Sequence, residues 1–374
     1  MGNDIVIVGA GIVGCTTAYF LASQGVGVTV VDPVGVAAAA SGRNNGLIEH
    51  PYDVAAVPLF TETVELLREA LGDALPDQPA GTLLVAENEP DARRLVEHYT
   101  QFPELQPQLL IPAEARLAEP LLGDGIWGCL LHTGYPIRPL EATSAFADLA
   151  RQAGADFVVG SDFATSRYNT GGITAKRLLE RHEDAIVVVA AGAGTPAVLE
   201  GYVAADIITP LWGVIVSVEL PQQPRHPLIE GVLAVAQGGG ALPDEAPFTL
   251  LNSPVSRPTD SPSYLAVGST MLQGSEPDGS AWSPRLLSRG MHFVPSIADA
   301  RVLGTLVCAR PRSFDNRPIM GRVPGEDRLW IASGHGGRGM SLGAASGRLI
   351  AGAIIAGSDA AIPYELSATR LSSL

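Results

Sequence analysis

The chain opens on an unbroken β-branched run, Ile5 to Val8, with no polar position among its residues. Such a run predicts a strand buried on both faces, as in a parallel sheet. A helical stretch carrying Ala18, Tyr19 and Leu21 follows and stops at Gly25; a second run, Val28 to Val31, leads into Asp32. A later run in "IVVVAAGAGTPAV" (186–198) reads as a buried strand entering a turn of small residues. Near the C-terminus, Leu329 to Ala332 reads as a strand, "GHGGRGM" (334–340) as a glycine turn, and Ser341 to Ala356 as a helix rich in small residues. The middle of the chain has another texture. "GTLLVAENE" (81–89), "LWGVIVSVEL" (211–220) and "SYLAVGSTML" (263–272) read as sheet strands, and "DARRLVEHYTQF" as a helix with surface charge. The Pro/Gly/Ser-rich piece from Gln237 to Ser263 reads as turns between antiparallel strands. Neither tandem repeats nor coiled-coil heptads occur.

Gly9, Gly11 and Gly14 stand between the first strand and helix in G-x-G-x-x-G spacing. The first permits a tight turn, the second lets backbone approach a pyrophosphate, and the third lets helix and strand pack closely. The helix N-terminus offers N–H groups and the positive end of its dipole to phosphate. Asp32, about 20 residues on, can accept hydrogen bonds from ribose hydroxyls, and an acid there disfavours a 2′-phosphate. Strand, helix, second strand and acid together predict a dinucleotide site. Cys15, inside the helix, reads as a small packing residue.

Composition narrows the class. The 374 residues are 46% hydrophobic, enough for a sizeable core, and carry a formal net charge of −15. That charge argues against a nucleic-acid partner, which needs Lys and Arg to neutralise phosphates. Three widely spaced cysteines suggest neither a disulfide framework nor a metal site. No basic n-region or cleavage pattern marks the N-terminus, and no uninterrupted apolar run reaches ~18 residues. A cytoplasmic protein that does not enter a membrane is the expectation.

One fingerprint at the N-terminus fits NAD or FAD. The second strand–turn–helix favours FAD, because its helix N-terminus could sit near the flavin edge where charge gathers on reduction. With "VIVGAGIVG", "ASGRNNGLI" (40–48), "IVVVAAGAGTPAV", "ARPRSFDNRPIMG" (309–321) and "GHGGRGMSLGAASGRLIA" in this order, essentially the whole chain resembles the flavin-dependent D-amino-acid oxidase family, in its glycine oxidase and sarcosine oxidase branch. The resemblance implies an α/β fold: a Rossmann-like, glutathione-reductase-like FAD-binding domain at 1–80, 139–205 and 310–374, with a second antiparallel-sheet α+β substrate domain at 81–138 and 206–309. It implies an oxidase of a small amino acid or N-substituted glycine. A hydride would pass from the amine α-carbon to flavin N5, the imine would hydrolyse, and O2 would be reduced to H2O2. A flavin dehydrogenase passing electrons to a quinone or partner protein is the alternative. Oligomeric state is open.

The resemblance also implies a cofactor cradle. It comprises Gly9, Gly11, Ile12, Val13, Gly14, Asp32 and Pro33 in the first turn; Ser41, Gly42, Arg43, Asn44, Asn45, Gly46 and Leu47 in the next loop; Ala191 and Gly192; and Gly334, His335, Gly336, Gly337, Arg338, Gly339 and Met340 in the last turn. His335 is expected to hydrogen-bond backbone or flavin. Binding is expected to be non-covalent, although Cys308 falls where sarcosine oxidases carry the cysteine linked to flavin. An arginine suits a substrate carboxylate because its planar fork makes two parallel charge-assisted bonds. Arg310, by resemblance, and Arg338, in the glycine turn, are the candidates. Glu49 and His50 of "GLIEHPY" (46–52) complete the catalytic group. Glu49 departs from the basic residues of sarcosine oxidases. It could attract a substrate ammonium or pair with Arg43. Tyr264 and Tyr135 are possible lid residues.

Overall fold

The computed structural model describes residues 4–169, 172–231, 246–252 and 263–373. The elements that frame the site include β1 (Ile5–Val8), helix α1 (Ile12–Ala22), β2 (Val28–Asp32), β3 (Asp156–Val159) and β4 (Ile186–Val189). Next are β5 (Ile208–Leu220), β6 (Ser263–Gly268) and β7 (Arg301–Ser313), then β8 (Ile319–Arg322), β9 (Leu329–Ser333) and helix α2 (Gly339–Ala356).

The first sheet has the order β8-β9-β4-β1-β2-β3, parallel except for the β8–β9 pair. The unbroken run of β1 has a direct cause. Ile5 and Ile7 enter one apolar core, Val6 and Val8 the core on the opposite face. A strand covered on both faces has no solvent side to make polar. The second sheet has eight strands in the order β7, β5, β6, Thr249–Asn252, Leu228–Glu230, Thr82–Ala86, Trp127–Leu131, Gln108–Leu110. It is antiparallel except where Leu228–Glu230 runs parallel to Thr82–Ala86. This is the expected fold class, a Rossmann-like layer joined to an antiparallel α+β layer.

Three details depart from expectation. β7 runs unbroken across the division placed between 309 and 310, because its pairing with β5 continues to Ser313. Within the segment expected to form turns, Thr249–Asn252 is a strand; residues 237–245 and 253–262 lie outside the described residues. One stretch, Gly336–Ala356, is long and apolar enough to cross a membrane, yet 67% of its most apolar window is buried inside the fold. Here it is a core helix that packs on α1.

The contact between α1 and α2 depends on missing side chains. A Cβ built at Gly347 would fall 2.7 Å from Thr16 Cβ and 2.8 Å from the Thr17 amide nitrogen. Gly352, on the exposed side of the same helix, has nothing within 4 Å of such a carbon. Gly347→Ala should therefore destabilise the protein by about 1–3 kcal/mol through overpacking. Gly352→Ala should stabilise it by about 0.5–1 kcal/mol through helix propensity. Urea unfolding of the two variants checks both signs.

Candidate functional site

At the C-terminal end of β1 the chain turns at Gly9 with φ +113°, a region that disfavours any side chain. A Cβ at Gly14 would lie 2.0 Å from the Gly9 carbonyl oxygen, so this glycine serves helix–strand packing and not ligand contact. Asp32, ending β2, holds the turn together. Its Oδ2 accepts from the Ala10 N–H (3.0 Å), its Oδ1 from the N–H groups of Val34 (2.8 Å) and Gly35 (3.0 Å). An ionised carboxylate has about four acceptor positions, so one Oδ2 lone pair is left for a ribose hydroxyl. Ser41 accepts from the Ile12 N–H (3.0 Å), which fixes its hydroxyl at the start of α1.

These residues open onto a cavity of about 690 Å³. Gly9, Gly11, Ile12, Val13, Asp32 and Pro33 line one end. Ser41, Arg43, Asn44 and Asn45 flank it, with Ala191 and Gly192 across from them. His335, Gly336, Gly337, Gly339 and Met340 close the far end beside Cys308 and Arg310 of β7. Other expected cradle residues stand behind the wall. A Cβ at Gly42 would strike the Ala37 carbonyl at 2.2 Å, and one at Gly46 the Ile137 carbonyl at 2.3 Å. Leu47 pairs with Pro136, and Gly334 makes the turn after β9 at φ +80°. Asn44 is an Asx turn: its Oδ1 accepts from the Gly46 N–H (2.9 Å) and its Nδ2 donates to the Ala40 carbonyl (2.8 Å).

The donor set suits FAD. A dinucleotide turn with a residual acceptor on Asp32 stands at one end, and a glycine turn feeding an 18-residue helix stands at the other. His335 is wholly buried, and its Nε2 meets Ser346 Oγ at 2.9 Å, so its expected contact to backbone or flavin is a side-chain contact to α2 in this structure. Burial pushes its pKa down to about 4, which keeps the imidazole neutral. Burial also raises the Cys308 thiol, only partly offset by Arg310 and Arg43. A protonated thiol is a poor nucleophile, in keeping with non-covalent binding.

Arg310 crosses the face of β5. Its Nη1 donates to the Thr270 carbonyl (2.9 Å) and its Nη2 to Ser269 Oγ (2.7 Å). Burial lowers its pKa, opposed by the Cys308 thiol, and among the described residues no carboxylate pairs with it. Arg338 stands elsewhere. Its guanidinium lies 5.9 Å from the centre of the Tyr52 ring, and it does not line the cavity. The Tyr52 hydroxyl donates to Glu49 Oε1 (2.6 Å), and the Glu49 N–H donates to Ser341 Oγ (2.8 Å). Burial raises the Glu49 pKa, with the Tyr52 bond and the Arg338 charge opposing it; burial lowers that of Arg338, with Glu49 the first influence opposing it. Glu49 therefore answers to Tyr52 and Arg338, not to Arg43, which lies exposed at the cavity wall.

His50 is removed from the cavity as well. Its Nε2 lies 3.2 Å from Glu104 Oε1, and its ring packs among Tyr52, Phe60 and Phe102. Tyr135 and Tyr264 do not line the cavity. The sequence reading missed Tyr52, Ser269 and Thr270, which carry no motif. It also missed Gly213, where a glycine inside the strand run "LWGVIV" was the available signal.

The model of FAD-dependent oxidoreductases matches residues 4–353. The chain belongs to this family. FAD is its cofactor and it is an oxidoreductase. Relatives include the glycine oxidase of Geobacillus kaustophilus (strain HTA426), 26% identical over 93% of this chain and 92% of that protein. The glycine oxidase of Bacillus licheniformis is 23% identical over 94% and 93%. Among solved structures, glycine oxidase from Geobacillus kaustophilus has a TM-score of 0.78 at 22% identity, covering 98% of both chains. L-proline dehydrogenase from P. horikoshii has a TM-score of 0.75 at 20% identity, covering 100% of this chain and 98% of that one. Iminodiacetate oxidase from Chelativorans sp. BNC1 has 0.73 at 23%, covering 96% and 97%.

The His335 pKa carries a pH signature. A histidine at about 4 when folded and 6.5 when unfolded binds its proton more readily in the unfolded chain. Stability should be full above pH 6.5 and fall as pH drops from 6.5 to about 4, by roughly 3 kcal/mol for this group. His335→Gln, which keeps a hydrogen-bonding side chain without this titration, should flatten that part of the profile. Urea midpoints measured between pH 4 and 7.5 on both proteins check it.

Proposed function

We propose that the protein is an FAD-dependent oxidase of a small amino acid or N-substituted glycine, with O2 as electron acceptor. The observation that carries this reading is Arg310: a half-buried guanidinium at the cavity wall with no carboxylate of its own among the described residues. Such a group favours an incoming anion, and its fork suits a carboxylate. The substrates named for the glycine oxidase relatives and for the iminodiacetate and L-proline enzymes of like fold are all amines that carry a carboxylate.

FAD, when bound, supplies the two-electron acceptor. The chain's own residues bind and orient. Arg310 fixes the carboxylate end of the substrate, which sets the position of the amine carbon relative to the His335–Met340 turn. Glu49 and Arg338 offset each other's charge, so the field on an entering carboxylate comes from Arg310 together with Arg43 at the cavity wall. His335 stays neutral and tied to Ser346. An amine that binds in its neutral form needs no strong base at the cavity wall.

A peroxide assay on the purified yellow protein tests the reading. The panel is glycine, sarcosine, D-alanine, proline and iminodiacetate, each beside its counterpart lacking the carboxylate. At least one carboxylate-bearing amine should yield peroxide, and its decarboxylated partner should be poorer by about 10²-fold or more, the cost of leaving a buried charge unpaired. Equal rates for the two members of a pair would remove the clamp. Flavin bleaching by substrate with slow reoxidation in air would favour electron transfer to a quinone or partner protein instead.

A further inference from the structure

We infer that Gly213 and Ser269 are positioning residues that set the edge of the Arg310 guanidinium offered to the substrate carboxylate. The inference rests on Arg310 being the clamp, and it explains how a side chain from an edge strand is held as one.

A guanidinium has five N–H donors in a fixed plane. Nη1 gives its hydrogens to the Thr270 carbonyl (2.9 Å) and to Met271 Sδ (3.6 Å). Nη2 gives one to Ser269 Oγ (2.7 Å). Ser269 and Thr270 are chain neighbours and approach from one side, so the donors left are the Nε–H and one Nη2–H. Two parallel donors are what a carboxylate needs. The glycine turn comes close to the Nε end of the group: a Cβ built at Gly337 would lie 3.6 Å from Arg310 Cδ and 3.9 Å from its Nε.

Two constraints hold the group in this pose. The first is room. A Cβ at Gly213 would fall 2.5 Å from Nη2 and 2.6 Å from both Cζ and Nη1, so the guanidinium occupies the space that any other residue would fill. The second is the anchor. Thr270 Oγ1 donates to the Trp212 carbonyl (3.0 Å) and accepts from the Val214 N–H (2.8 Å), which fastens the 269–271 segment to β5 on either side of Gly213. Ser269 is 2% exposed, so water does not replace its hydroxyl. A glycine and a serine with no charge of their own thus decide which way the charge of Arg310 points.

Acetate titrated calorimetrically into the FAD-loaded enzyme tests this. Wild type binds acetate. Ser269→Ala and Gly213→Ala should each raise the acetate Kd by about tenfold, the loss expected when a charged hydrogen-bonding group is misaimed. Ser269→Thr, which restores the hydroxyl, should return the Kd to within about threefold of wild type, a rescue that a general packing role would not produce. Ser269→Ala removes one oxygen and folds, so its result stands even if Gly213→Ala does not. Acetate affinity within about twofold of wild type in Ser269→Ala, with Arg310→Ala unable to bind acetate, would overturn the positioning role and leave the clamp in place. Equal acetate binding by wild type and Arg310→Ala would overturn the clamp itself.

Discussion

A buried guanidinium is costly to desolvate, and the cost is offset only when its N–H groups find acceptors. In this protein the acceptors of Arg310 are neutral: a backbone carbonyl, a serine hydroxyl and a thioether sulfur. Among the described residues three of its five N–H groups have acceptors, and the charge has no carboxylate. Much of the surrounding architecture follows from keeping that state. β5 and β7 pair from Ile208–Ser313 to Glu219–Arg301 and so hold Arg310 over Gly213. The turn after β9 brings Gly337 up to the other side of the guanidinium with no side chain in between.

The Glu49–Tyr52–Arg338 cluster uses the same chemistry to the opposite end. There a half-buried arginine lies in the field of an acid, and the acid accepts from a tyrosine hydroxyl. The charges compensate within the protein and need nothing from outside. This accounts for an acidic residue where sarcosine oxidases carry basic ones. Glu49 opposes the charge of Arg338, and in the proposed function the recognition of an anion falls to Arg310. Ser341 ties the Glu49 backbone to α2 and fixes the cluster directly behind Met340, which does face the cavity.

The sequence made the parallel layer legible because its signals are local. Buried β-branched runs, glycine spacing and Asp32 lie within 30 residues, and each was imposed by a contact seen in the fold. The glycine turn at 334–340, which lines the cavity, was legible for the same reason. Glycines were readable as glycines but not by purpose: Gly14, Gly42 and Gly46 meet protein backbone without lining the cavity, Gly9 lines the cavity and also meets the Ala190 carbonyl, and Gly11 lines it beside Ser41. The substrate end was not legible. The surroundings that distinguish Arg310 from Arg338 come from distant parts of the chain: Ser269 and Thr270 for the first, Glu49 and Tyr52 for the second. Ser269, Thr270 and Tyr52 are ordinary residues whose significance exists only once two strands and two helices have been brought together.

The most direct test of the account is a crystal structure of the FAD-loaded enzyme with acetate bound. A carboxylate lying against Nε and Nη2 of Arg310, with both oxygens within about 3 Å, is the predicted result. A carboxylate seated on Arg338 or Arg43, with the Arg310 edge facing water, would contradict it.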